Sequence, residues 1–124
     1  MSRFLKTKYW QAKLPDGWVG NTNFAENFAE MATIYSPAGV GMLRVFISDK
    51  AYDGTGVGED FQAKLAGKYY AGRVYRGTFR RSWHLSCHGR LLSVTYSCAE
   101  QNAGLELSRV DEIIQNIDET GAAA

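Results

Sequence analysis

The chain has 124 residues, 45% of them hydrophobic and 22% charged, with a formal net charge of +1 and only two prolines. That length fits one domain able to bury its own core without disulfide or metal staples, and the composition excludes a linker-rich or disordered chain. No apolar run approaches 18 residues, which excludes a membrane-spanning helix. With no secretory pattern at the start and Cys87 and Cys98 as the only thiols, the expectation is a cytoplasmic protein with reduced cysteines.

Phe4 to Leu14 alternates loosely and predicts a first strand, closed by the turn signal Pro15-Asp16-Gly17. Trp18 then drops onto the core, and Asn21 to Asn27 is polar and loop-like. Met31 to Tyr35 predicts a short strand, and Val40 to Ser48 a longer one. There Leu43, Val45 and Ile47 share one face while Met42, Arg44 and Phe46 share the other. A glycine-rich loop, Asp53 to Gly58, leads into a predicted helix from Glu59 to Ala66. Its acidic first turn suits the helix dipole, Phe61 and Leu65 form its buried stripe, and Gly67 follows as the terminator.

From Tyr69 to Cys98 the pattern is β-rich. Gly77-Thr78 marks one turn and His88-Gly89 a two-residue hairpin loop, which pairs Cys87 with Arg90, Leu85 with Leu92 and Trp83 with Val94. Trp83, Leu85, Cys87, Leu92, Val94, Tyr96 and Cys98 then share an apolar face, with Ser82, His84, Ser86, Ser93, Thr95 and Ser97 opposite. That register separates the two cysteines and argues against a disulfide. Leu105 to Ile117 predicts a closing helix, with Ser108 and Asp111 spaced as a capping box. Residues 1–120 thus form one domain and 121–124 a frayed tail. The expected class is α+β: a sandwich with an antiparallel sheet of about six strands flanked by two main helices.

Charge is unevenly placed. Residues 61–99 hold no carboxylate and seven cations, Lys64, Lys68, Arg73, Arg76, Arg80, Arg81 and Arg90. Residues 100–124 hold six carboxylates against Arg109 alone. Aromatic residues interleave with the arginines, a combination enriched at protein interfaces and at single-stranded nucleic acid sites. A sequence pI of about 7.8 argues against nucleic acid. Arg73, Tyr75, Arg76, Arg80, Arg81 and His84 are therefore the candidate partner-binding residues. The bland alternative is a charged edge hairpin protected from aggregation, or internal pairing of the basic block with the acidic tail.

No catalytic set emerges. His84 and His88 lie about 13 Å apart along a strand by its rise per residue, too far for one metal unless His88 folds back in the turn. Cys87 and Cys98 read as small core residues. Gly54-Thr55-Gly56-Val57-Gly58 resembles a phosphate-cradling loop, but Glu59 and Asp60 would repel an anion there. No serine has an evident histidine and carboxylate partner. No cofactor and no metal are expected.

Leu14-Pro15-x-Gly17-Trp18, Tyr35-Ser36-Pro37-x-Gly39-Val40-Gly41-x-Leu43, Arg81-x-Trp83-x-Leu85, Leu91-Leu92-x-Val94-Thr95-Tyr96-x-Cys98 and Val110-Asp111-x-Ile113-Ile114 form a pattern covering most of the chain. It resembles a family of small bacterial proteins of uncharacterised function, and its element order is similar to the PsbP/DcrB-type α/β sandwich. The resemblance implies a binding or accessory protein rather than an enzyme, and brings no catalytic residues with it. The expected function is engagement of a protein partner, an acidic one among the options, through the basic aromatic hairpin, in an immunity- or chaperone-like role by fold analogy. The alternative is a small-ligand-binding protein or enzyme with a pocket between helix and sheet.

Overall fold

Period-two alternation of apolar and polar residues runs through most of the chain, and strands form wherever it does. The computed structural model describes residues 3–24 and 30–121. In chain order these give β1 Arg3–Lys6, β2 Trp10–Leu14, β3 Val19–Phe24, β4 Glu30–Tyr35, β5 Gly41–Ala51, β6 Glu59–Gln62, β7 Ala66–Tyr75, β8 Thr78–Cys87, β9 Arg90–Ala99, α1 Leu107–Gln115 and β10 Asp118–Glu119. Every pairing is antiparallel. A seven-stranded sheet has the order β3-β4-β5-β9-β8-β7-β6, and a three-stranded sheet the order β1-β2-β10.

The core lies on one face of the large sheet. Ala32, Ile34, Leu43, Val45, Ile47, Trp83, Leu85, Cys87, Leu92, Val94 and Tyr96 are buried there against Trp10, Ala12 and Leu14 of β2 and Val110, Ile113 and Ile114 of α1. The alternation of residues 82–98 separates as the sequence predicts. Every odd-numbered residue of β8 from Trp83 and every even-numbered residue of β9 from Leu92 is buried, while their neighbours Ser82, His84, Ser86, Ser93, Thr95 and Ser97 turn to the other face. The hairpin register is also as predicted, Cys87 opposite Arg90 and Leu85 opposite Leu92. His88 and Gly89 are both left-handed, at φ 52° and 75°, which is the backbone a two-residue type I′ turn requires.

The class differs from the expected one. A sheet of about six strands flanked by two main helices is replaced by two sheets, of three and seven strands, with one α-helix among the described residues. The segment read as a helix from Glu59 to Ala66 is β6 and its turn into β7, paired Glu59 to Tyr69 and Gln62 to Ala66. Phe61 and Leu65, the supposed helical stripe, both reach the core without a helix, Phe61 from β6 and Leu65 from the turn that follows it. An eight-residue helix is marginal by itself, whereas the edge of β7 offers backbone partners to the same residues.

Four further boundaries move. The first predicted strand breaks at Thr7, whose hydroxyl donates to the Trp10 carbonyl (2.8 Å) and accepts from the Trp10 amide (3.1 Å), folding β1 back on β2. Asn21 to Phe24 is strand rather than loop, paired with β4; positions 25–27 of that predicted loop fall outside the described residues. The β7–β8 turn is Arg76-Gly77, one residue before the predicted Gly77-Thr78, with both residues left-handed at φ 50° and 80°. The closing helix runs Leu107–Gln115 and has no side-chain N-cap, so Ser108 and Asp111 form no capping box.

Leu92, fully buried on β9, is expected to cost about 2–5 kcal/mol on truncation to Ala. The midpoint of urea unfolding measures it; a loss below about 1 kcal/mol would contradict the packing described.

Candidate functional site: the open face of the large sheet

The strand register that buries one face of the sheet arrays the other in rungs. Thr33, Arg44, Thr95, Ser82 and Tyr70 lie abreast across β4, β5, β9, β8 and β7. Met31, Phe46, Ser93, His84 and Lys68 form the next rung, and Met42, Ser97, Arg80 and Arg73 a third. A bulge interrupts β7 between Tyr70 and Arg73. The loop 52–58 runs beside this face, anchored where the Tyr52 amide donates to the Gly89 carbonyl (2.9 Å) and the Tyr52 hydroxyl to the His84 carbonyl (3.3 Å).

Two concavities result. A groove of about 730 Å³ lies over β7 and β8, lined among others by Tyr70, Arg73, Tyr75, Arg80, Ser82 and His84, with Val57 and Glu59 along the loop side. A smaller one of about 510 Å³ opens between Tyr52, Asp60, Phe61 and Ser86. His84 stands at the groove floor between two aromatic rings, with Tyr70 at 4.9 Å and Tyr52 edge-on at 6.5 Å.

Electrostatics distinguish the arginines. Arg73 and Arg80 are directly opposite across β7 and β8, a repulsive arrangement. Neither has an ion-pair partner among the described residues, nor has Arg44. Lys68 does: its ammonium bonds Asp60 at 2.5 Å, which holds the Asp60 carboxyl below its usual range and the Lys68 ammonium above its own. Arg81 faces the opposite way. Its Nε donates to the Tyr69 hydroxyl (2.9 Å) and its Nη2 to Asp111 of α1 (3.0 Å), with the guanidinium over the rings of Trp83 and Tyr69.

The predicted site residues therefore divide. Arg73, Tyr75, Arg80 and His84 come together on the groove. Arg76 sits in the hairpin turn over the Tyr75 ring. Arg81 belongs to the joint between sheet and helix. Arg44, Tyr52 and Tyr70 were not among the predicted set; the parity of β5 already put Arg44 on the polar face, but nothing local announced that the loop would bring Tyr52 over His84.

No catalytic relay is assembled on this face among the described residues. His84 makes no hydrogen bond to a carboxylate among the described residues, so no relay activates Ser82 or Ser86. The glycine loop leads into a strand, so it lacks the helix N-terminus that a phosphate cradle needs. Burial, then the nearby Glu119 and Asp118 carboxylates, pushes the Cys87 thiol up to about 12, far from nucleophilic at neutral pH.

No protein-family pattern and no curated protein matches the chain. A solved structure from Bacteroides thetaiotaomicron VPI-5482 is similar in fold, with a TM-score of 0.64 and 10% sequence identity, over 93% of this chain and 46% of that one. The chain thus spans less than half the length of the protein it resembles, and the likeness is one of fold alone.

Two outcomes follow from this geometry. Arg81→Ala removes a largely buried side chain, two hydrogen bonds and two ring contacts, and is expected to destabilise by about 1–3 kcal/mol; Arg80→Ala, on the open face, should stay within about 0.5 kcal/mol. Equal losses in thermal melts would contradict the division. Stability should also fall at alkaline pH. Below about pH 9 the Cys87 thiol is protonated in both states; between about 9 and 12 only the unfolded chain releases that proton, so unfolding gains. Tyr96, raised by burial and by its hydrogen bond to Glu106, adds to the same trend above about pH 10. Urea midpoints that are flat from pH 8 to about 11 would contradict it, and Cys87→Ala should flatten the slope.

Proposed function

We propose that the protein is a non-enzymatic binding or accessory protein that takes an acidic segment of a protein partner into the groove over β7 and β8. The observation that carries this reading is the opposed pair Arg73 and Arg80, two cations placed against one another with no carboxylate to neutralise either among the described residues. A fold gains nothing from that placement unless an anion completes it. The rim adds apolar contact: Tyr75 is 70% exposed and Val57 99%, and Tyr with Arg is the pairing enriched where binding energy concentrates. Glu59, the carboxylate at the rim, limits the anion to the Arg73–Arg80 end.

An immunity- or chaperone-like role agrees with this reading. A small-ligand or enzymatic reading requires a pocket between helix and sheet, whereas the two concavities described lie on the face turned away from α1. The partner's acidic segment should weaken its hold as salt rises, since the arginines are solvent-exposed.

The test is binding of a fluorescein-labelled Glu/Tyr-rich peptide by anisotropy, alongside capture from an extract of the source cells. Arg73→Glu/Arg80→Glu is expected to lose at least tenfold in affinity while keeping the wild-type melt, and Arg76→Glu to lose less. Undiminished binding by the folded double variant would sink the groove as the site.

A further inference from the structure

At the far end of β8 from the groove, three residues of different chemistry converge. The ligand atoms of Cys87, His88 and Glu119 all lie within 4.8 Å of one another. Adjacent residues of a regular strand point to opposite faces; His88 has left the strand, in the left-handed first position of the turn, and its ring returns to the side of the Cys87 thiol. Glu119 arrives from β10, whose pairing with β2 places it opposite Trp10. Its Oε2 accepts the His88 backbone N–H at 2.6 Å, which fixes the carboxylate beside the turn and leaves Oε1 without a hydrogen bond among the described residues.

A second observation points to an absent ligand. The Nε2 of His88 is buried and has no hydrogen-bond partner. A buried polar nitrogen left unpaired costs free energy, and the adjacent Tyr9 ring, edge-on at 6.4 Å, gives it no acceptor. The Cys87 sulfur is itself held in place, donating to the Tyr9 carbonyl at 3.3 Å.

We propose that Cys87, His88 and Glu119 bind a zinc ion. Zinc takes thiolate, imidazole and carboxylate together, at about 2.0–2.3 Å, so its ligand atoms stand about 3.3–3.8 Å apart in a tetrahedron. The cluster needs to close by about 1 Å, a movement within reach of the exposed Glu119 side chain. A soft thiolate with an imidazole favours zinc over magnesium or calcium, which prefer all-oxygen sites. On binding, the Zn–S bond forms as the Cys87 S–H proton passes to solvent. Three protein ligands leave the fourth position for water. The negative charge of Glu119 beside the thiol becomes favourable once a dication sits there. The ion would tie the two-residue strand β10 to the β8–β9 turn.

The full chain, stripped with chelator and dialysed, is titrated with cobalt(II) alone and then with zinc(II). One equivalent of cobalt should produce a thiolate-to-cobalt charge-transfer band that zinc abolishes, and zinc should raise the melting temperature. Cys87→Ser should remove the band, and Cys98→Ser should leave it. Because Cys87 is buried, two milder variants keep the test decisive. His88→Asn tolerates the left-handed backbone, and Glu119→Gln retains an acceptor for the His88 amide. Each should weaken cobalt and zinc binding at least tenfold. No charge-transfer band in the folded wild type, or wild-type affinity in either folded variant, would overturn the site.

Discussion

The register of β8 on β9 is the constraint on which the rest of the molecule depends. Side chains on a strand alternate with period two, so a slip of one residue would carry Trp83, Leu85, Leu92, Val94 and Tyr96 into solvent and bring the serines inside. The two-residue turn at His88-Gly89 leaves no freedom for that slip. β9 then templates β5, and β8 templates β7, so the same turn decides which residues reach the open face. The cover supplied by β2 and α1 only has to match a surface already determined. Gly41 shows how close that match is: the Tyr96 hydroxyl occupies the space where its side chain would be, and bonds the buried Glu106 at 2.8 Å.

Charge follows the same parity. Arg80 and Arg81 are neighbours in sequence and lie on opposite sides of the sheet. One is stacked and paired against α1; the other faces its counterpart Arg73 across an open groove. The uneven distribution of charge along the chain therefore has two origins. Part of it is internal, through Arg81 with Asp111, through Tyr96 with Glu106 and through the His88 amide with Glu119. Part is left facing water, on Arg73 and Arg80, beside Arg44 of β5 on the same face.

How much of this could be read from residues alone depended on how local the cause was. The β8–β9 hairpin was legible in full because its alternation is strict and its turn has a specific backbone demand. The segment 59–66 carries a helical spacing in Phe61 and Leu65, yet a strand and a tight turn bring the same two residues to the core; what decides is the free edge of β7, a feature no local window contains. β3 was missed because Asn21 and Thr22 carry no apolar signal; an edge strand exposed to solvent does not need one. Four of the six predicted binding residues meet on one groove. Arg81 departs because the strand's parity, which the buried Trp83 already implied, turns it toward the helix. Tyr52 lay beyond reach, since only the folded loop brings it to His84.

The order of strands in the large sheet also bears on how the protein is assembled. β3, β4 and β5 form one continuous meander, and β6 to β9 form another; each is built from hairpins between neighbours in sequence. The two are joined only where β5 meets β9, across some forty intervening residues. Until that ladder closes, β2 and α1 have no complete apolar face to cover. Folding is accordingly expected to be governed by one long-range encounter between two locally formed units, and to be slower than the abundance of short turns suggests, because the entropy of closing that loop is lost before the core can compensate for it.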